Sequence, residues 1–279
     1  MLEEAAGALA NLCVDGVRCR DSIRECGGAA ALVGLLAPGG SAVVHRAAAV
    51  ALANLCLYNS RNQDSVRECG GAAALVGLLK RGGSVRVLAE VAGALANLCA
   101  LNACCQDSVG ECGGAAVLVR LLKVGGTDVH HAPAAAALAS LCFDNARNQD
   151  SVRECGGAAV PVALLAPGGT DEARELAART LCALCSDNAQ NRDIARECGG
   201  LAALVGLLAP GGSADLHQDV AGVLMGLTSE GGRSREAVRA CGGAAALEGV
   251  LACASSAAAH EWAAAALRNL GLDDEQEPH

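Results

Sequence analysis

The thirteen residues RECGGAAALVGLL stand at positions 24–36 and again, unchanged, at 67–79. The step between the copies is 43 residues, and other rows keep it. Cys26, Cys69, Cys112, Cys155, Cys198 and Cys241 each precede a Gly-Gly pair at that step. Leu12, Leu55, Leu98, Leu141, Leu184, Leu227 and Leu270 follow it, as do Leu9, Leu52, Leu95, Leu138, Leu181, Leu224 and Leu267. An uninterrupted period of this length marks an array of stacked units, in which each unit buries its apolar face on its neighbours.

Within a unit, small polar residues and glycines act as punctuation. Ser41, Ser84, Thr127, Thr170, Ser213 and Ser256 share one position ahead of a long Ala/Leu stretch. A hydroxyl there accepts a hydrogen bond from the first turn of a helix. The pattern predicts a long helix over 42–58 and its counterparts, ending at Gly16, Asn59, Asn102, Asn145, Asn188 and Gly231, where a left-handed turn is expected. A short helix such as 64–69 follows, with Asp21, Asp64, Asp107, Asp150, Asp193 or Glu236 in its first turn to complement the helix dipole. Gly-Gly then permits a tight bend, and AAALVGLL forms a middle helix running to a second Gly-Gly pair.

Composition agrees with stacked helices. Hydrophobic residues make up 52% of the chain, yet aromatics only 1%, so Ala, Leu and Val must fill the core. The mean hydropathy is +0.34. The longest uncharged run, 26–44, is broken by five glycines and Pro38 and does not suit a membrane span. No charged segment followed by an apolar one opens the chain, so no secretory signal is expected. The sixteen cysteines therefore read as reduced, buried and small. A net charge of −9 argues against a nucleic-acid-binding body.

The combination SVRECGGAAALVGLL…AAAVALANLC resembles the armadillo repeat, with its three helices, its Glu-Ala-Gly-Gly corner and its Ala-Leu-x-Asn-Leu ending. The resemblance implies an all-α, right-handed α-solenoid (superhelix) of three-helix armadillo repeats with a period of 43 residues. It covers a lone third helix at 1–15 and six full repeats at 16–58, 59–101, 102–144, 145–187, 188–230 and 231–272, before an acidic tail at 273–279.

In that family the third helices line a concave groove, where an Asn on each clamps the backbone of an extended peptide. The matching positions here are Asn11, Asn54, Asn97, Ser140, Ala183, Gly226 and Asn269. The competing reading of this row is hydrogen bonding from helix to helix. Four residues earlier, nuclear-import adaptors carry Trp; this chain has Gly7, Val50, Gly93, Ala136, Arg179, Gly222 and Ala265, which counts against binding of import signals. Seven residues before the Asn row stand Glu4, Glu90, Asp219 and Trp262. One turn after it stand Asp15, Tyr58, Leu101, Asp144, Asp187, Glu230 and Asp273. With Glu172, Glu175 and Asp215 these acids would attract a Lys/Arg-containing segment. The candidate peptide-binding residues are Asn11, Asn54, Asn97, Asn269, Glu90, Arg179, Asp219 and Trp262.

Other constellations carry less. Cys99, Cys104, Cys105 and Cys112 could offer four thiolates to zinc, but the repeat itself accounts for two of them. Cys182-Ala-Leu-Cys185 lacks the surroundings of a redox motif. His45, His131, His217 and His260 share a repeat position and read as packed structural residues. HEWAA at 260–264 lacks the second His of a zinc-protease helix. No catalytic motif is present, so no enzyme activity and no cofactor are expected.

Two prolines break the pattern. Pro133 should kink or shorten a long helix, and Pro161 should delay the start of a middle helix, with a change of curvature over 130–165. Ala254-Ser255, Trp262 and the charged tail suit a capping unit. At the start, Leu9 and Leu12 should bury on the following unit while the outer face lacks a cap, as in a piece of a longer protein or an end that pairs with something else. The reading that results is a non-catalytic scaffold in the cytoplasm or nucleus, a monomer binding a protein or peptide with Lys/Arg. The alternative is an architectural or targeting array, for example the substrate-binding part of a ubiquitin ligase, and a metal or redox role would rest on the cysteines alone.

Overall fold

The computed structural model describes residues 2–14, 16–123, 128–165, 170–209, 211–229, 232–253 and 256–271. Thr127, Gly125, Gly168, Asp15, Glu230, Gly231, Ala254, Ser255, Asp273 and the tail at 273–279 lie outside them. Among the described residues the chain is helical, without strands: an α-solenoid. Its contacts separate two compact units, Met1–Cys155 and Gly156–His279.

The first unit runs α1 (Leu2–Val14), α2 (Val17–Glu25), α3 (Gly28–Gly34), α4 (Ala42–Cys56), α5 (Ser60–Glu68), α6 (Gly71–Arg81), α7 (Val85–Cys99), α8 (Ala103–Glu111), α9 (Gly114–Lys123), α10 (Asp128–Cys142) and α11 (Ala146–Glu154). The long helices stack in order: α4 packs between α1 and α7, and α10 lies against α7. Their apolar stripes bury Leu52, Leu55, Leu95, Leu98, Leu138 and Leu141. Ser41 Oγ accepts from the Val44 N–H at 3.2 Å, and Ser84 Oγ from the Val87 N–H at 3.4 Å, so the hydroxyl row does cap the long helices.

The second unit comprises α12 (Val160–Leu164), α13 (Asp171–Cys185), α14 (Ala189–Glu197), α15 (Gly200–Leu207), α16 (Ala214–Ser229), α17 (Gly232–Ala240), α18 (Gly243–Cys253) and α19 (Ala257–Asn269). α16 packs between α13 and α19. Thr170, Ser213 and Ser256 cap these three helices through the N–H groups of Ala173, Leu216 and Ala259. The core gathers Leu181, Leu204, Leu224, Leu247 and Leu270.

The Gly-Gly corner uses its two glycines differently. Gly70 sits at φ 80°, a left-handed conformation that costs any residue with a Cβ. Gly71 has no Cβ because one would lie 2.7 Å from the Val66 carbonyl oxygen and 2.4 Å from its methyl group.

Several expectations need correction. After α4, α7, α10 and α13 the left-handed residue is not the Asn but the residue before it: Tyr58, Leu101, Asp144 and Asp187, at φ 50° to 53°. Asn59 is extended at φ −140° and caps the next helix, its Oδ1 accepting from the Asn62 N–H. The short helices therefore start earlier than 64, and Asp64 lies past their first turn. The acids Asp21, Asp64 and Asp107 instead accept hydrogen bonds from Asn59, Asn102 and Asn145 of the following repeat, at 2.9–3.2 Å.

Pro133 does not shorten its helix, since α10 has the same fifteen residues as α4 and α7. The missing N–H affects one internal bond, while Ala134, Ala135, Ala137 and Leu138 are buried and hold the helix in place. Pro161 does delay its helix: α12 has five residues, starting at Val160, against eleven in α6. Leu12 does not bury; it remains 47% exposed, whereas Leu55 and Leu98, its equivalents, are fully covered by the helices stacked against them. Nor are the cysteines uniformly buried. Cys13, Cys56, Cys99, Cys142 and Cys185 are, but at the corner position Cys26, Cys69, Cys155, Cys198 and Cys241 are exposed and Cys112 is half-buried.

Candidate functional site

The asparagine row lies on the stacked long helices, and its side chains reach sideways. Asn54 Nδ2 donates to the carbonyl of Ala10 at 3.1 Å, and Asn97 Nδ2 to that of Ala53 at 2.9 Å. Each bond therefore links one long helix to the one before it. An amide carries two N–H donors and one carbonyl. Each of these half-buried side chains retains one N–H and an Oδ1 that accepts nothing from the described residues. Asn11, on α1, is exposed. Glu90 is half-buried on α7, two turns before Asn97.

In the second unit, the candidate residues engage one another or the core. Arg179 Nε on α13 donates to Asp219 Oδ2 on α16 at 2.6 Å. Burial pushes the Asp219 carboxyl above its ordinary value, and the attraction of Arg179 offsets this only in part. Trp262 is half-buried, with its ring lying where a Cβ on Gly222 would meet it at 2.8 Å. Gly222 thus serves as the seat for that ring. Asn269 Nδ2 donates to the Met225 carbonyl at 3.2 Å and to Thr228 Oγ1 at 3.3 Å.

The row one turn after Asn does not lie on the helix face assigned to it. Tyr58, Leu101 and Asp144 follow the helix ends in left-handed turns, and Tyr58 and Leu101 are 90% and 81% exposed.

A second row of amides was not anticipated. Gln63 and Gln106 are buried on the short helices. Gln63 Nε2 donates to the carbonyls of Asn97 and Ala100 at 2.8 and 3.0 Å, and Gln106 Nε2 to those of Ser140 and Phe143 at 2.9 and 3.0 Å. These carbonyls end the next repeat's long helix and have no partner within it. Asn62 and Asn148 tie down Leu55 and Leu141 in the same manner. The signal was available: Gln63, Gln106 and Gln149 recur at a step of 43, each followed by Asp.

Two histidines of the row bond the loops before their helices, His45 Nε2 lying 3.1 Å from the Ala37 carbonyl and His217 Nε2 3.2 Å from that of Ala209, while His260 is exposed. Among the described residues no three His, Cys, Asp or Glu side chains gather as metal ligands. Burial raises the Cys13 thiol to about 11 and that of Cys105 to about 12. No helix of the described residues is long and apolar enough to cross a membrane.

Comparison with known proteins accords with this architecture. A search of curated proteins gave no match. Among solved structures, one engineered protein shares 28% identity over 96% of this chain and 64% of its own length, with a TM-score of 0.87. This chain thus spans under two thirds of that protein. A second engineered protein shares 27% identity over 87% of this chain and 98% of its own, with a TM-score of 0.78. A designed armadillo repeat protein in complex with the peptide (KR)4 shares 21% identity over 86% of this chain and 98% of its own, with a TM-score of 0.76. The Armadillo/beta-catenin-like repeat family matches residues 16–57 and 59–100. With its helical corners, capped long helices and stacked apolar stripes, the chain carries armadillo repeats at 16–57 and 59–100 and shares the fold of designed armadillo repeat proteins.

Proposed function

We propose that the chain is a non-catalytic protein-binding scaffold, and that α1, α4 and α7 of the first unit bind an extended peptide along Asn11, Asn54 and Asn97. One observation carries this reading. The bonds to Ala10 and Ala53 orient the two amides and leave each with one N–H and one carbonyl oxygen. That donor–acceptor pair complements a single peptide group, and prior orientation lowers the entropic cost of binding.

A basic ligand suits the net charge of −9 and Glu90 beside the row. The designed relative in complex with (KR)4 supports the same choice. Within the right-handed superhelix that the resemblance implies, these helices would form the inner face. We place such a monomer in the cytoplasm or nucleus, where exposed thiols stay reduced.

In the second unit Arg179 and Asp219 pair with each other and Trp262 packs on Gly222, which favours an architectural role for that part. The test is binding of labelled (KR)4 and of a random peptide library to the parent and to Asn54→Ala/Asn97→Ala. Enrichment on the parent and loss on the variant support the groove. Equal binding by both would refute it.

A further inference from the structure

Tyr58 and Leu101 occupy the same repeat position, four residues beyond Asn54 and Asn97 and just past the ends of α4 and α7. Both adopt left-handed backbone, at φ 50° and 53°. In that conformation the Cβ crowds its own carbonyl oxygen. Asn and Asp offset the strain by local hydrogen bonding, whereas bulky apolar side chains have no such recourse. Both side chains also stand in water, 90% and 81% exposed.

The chain therefore bears two separate costs at each position, and no contact among the described residues offsets either. It also contains the less strained solution, for the next repeat places Asp144 there at φ 50°. Beside Asp144, Phe143 is 45% exposed. Strain held at exposed sites points toward binding rather than stability.

We propose that Tyr58, Leu101 and Phe143 form an apolar ledge at the C-terminal ends of α4, α7 and α10. The ledge receives apolar side chains of the extended peptide held by Asn54 and Asn97, so the inference rests on the groove reading above. Side chains of an extended chain alternate in direction, and every second one lies about 7 Å further along. Stacked helices are about 8–10 Å apart, so one apolar side chain meets each repeat. Asp144, exposed at the end of the ledge, then pairs with a Lys or Arg that follows. The partner is a segment with alternating apolar residues ending in a cation, rather than a uniformly basic one.

The experiment compares two octapeptides, (LR)4 and (KR)4, by fluorescence anisotropy against the parent, Tyr58→Asp/Leu101→Asp and Asn54→Ala/Asn97→Ala. Aspartate is the residue the chain itself places at this turn, so the first variant keeps the fold, with a Tm equal to or above the parent's. The parent binds (LR)4 at least about tenfold more tightly than (KR)4. The aspartate variant reverses that preference, while the alanine variant loses both peptides. A parent that binds (KR)4 as tightly as (LR)4, or neither, overturns the ledge, as does an aspartate variant that keeps the preference. An alanine variant binding both peptides like the parent defeats the groove reading instead.

Discussion

Asn97 on α7 donates through Nδ2 to the Ala53 carbonyl of α4 at 2.9 Å, and Asn54 repeats the bond to Ala10 of α1. The row that the family resemblance assigns to peptide binding thus also joins the long helices. Each Asn→Ala change should lower stability by about 0.5–1.5 kcal/mol, the worth of one hydrogen bond to a partly solvated carbonyl. Urea denaturation of the two single variants measures this. A loss well above that range would mean that the asparagines serve chiefly to hold the helices together.

Gln106 should matter more to the fold. Its Nε2 serves two carbonyls, and its Oε1 accepts from Asn145 at 3.3 Å, all with little water nearby. Gln106→Ala is expected to cost about 2–4 kcal/mol, because buried helix-end carbonyls lose their partner and a cavity opens. If its denaturation midpoint falls no further than that of Asn97→Ala, the Ser140 and Phe143 carbonyls have found water.

The two corner glycines should respond unequally to alanine. Gly70→Ala meets open space but must hold φ 80°, a penalty of about 1–2 kcal/mol. Gly71→Ala places a methyl 2.7 Å from the Val66 carbonyl oxygen and must move backbone. It should be the more damaging of the two, at about 3 kcal/mol or beyond. Thermal melts of the pair decide the order, and equal Tm values would contradict the geometry.

The buried thiols predict a loss of stability in alkali. Burial pushes Cys13 up to about 11 and Cys105 up to about 12 from the ordinary 9.0, and raises Cys56, Cys99 and Cys142 as well. Folded thiols keep their protons at a pH where unfolded ones release them. Stability is therefore complete below pH 9.0 and declines above it, until the folded thiols also ionise. The urea midpoint should fall from pH about 8 to about 10.5, less steeply in Cys56→Ala/Cys142→Ala. At neutral pH a maleimide should label Cys26, Cys69, Cys155, Cys198 and Cys241 long before Cys56, Cys99 and Cys142. Rapid labelling of Cys99 in the folded protein would show that the core opens.

The array, its three-helix units and its capping hydroxyls were legible in the residues alone. Ser41, Ser84 and the leucine rows sit where local hydrogen bonding and apolar spacing require them. Such features depend on neighbours within a turn or two of helix. The function of Asn59 did not follow from its position, because Tyr58 takes the left-handed turn and frees Asn59 to cap α5 and bond Asp21 of the previous repeat. The sequence likewise offered Arg179 and Asp219 as separate recognition residues, and only stacking α13 on α16 brought them to 2.6 Å. Periodicity determined which elements form and which faces are apolar, since these rest on residues close along the chain. The tertiary structure decided which polar groups are already spent on a neighbouring repeat, since those partners lie about forty residues away.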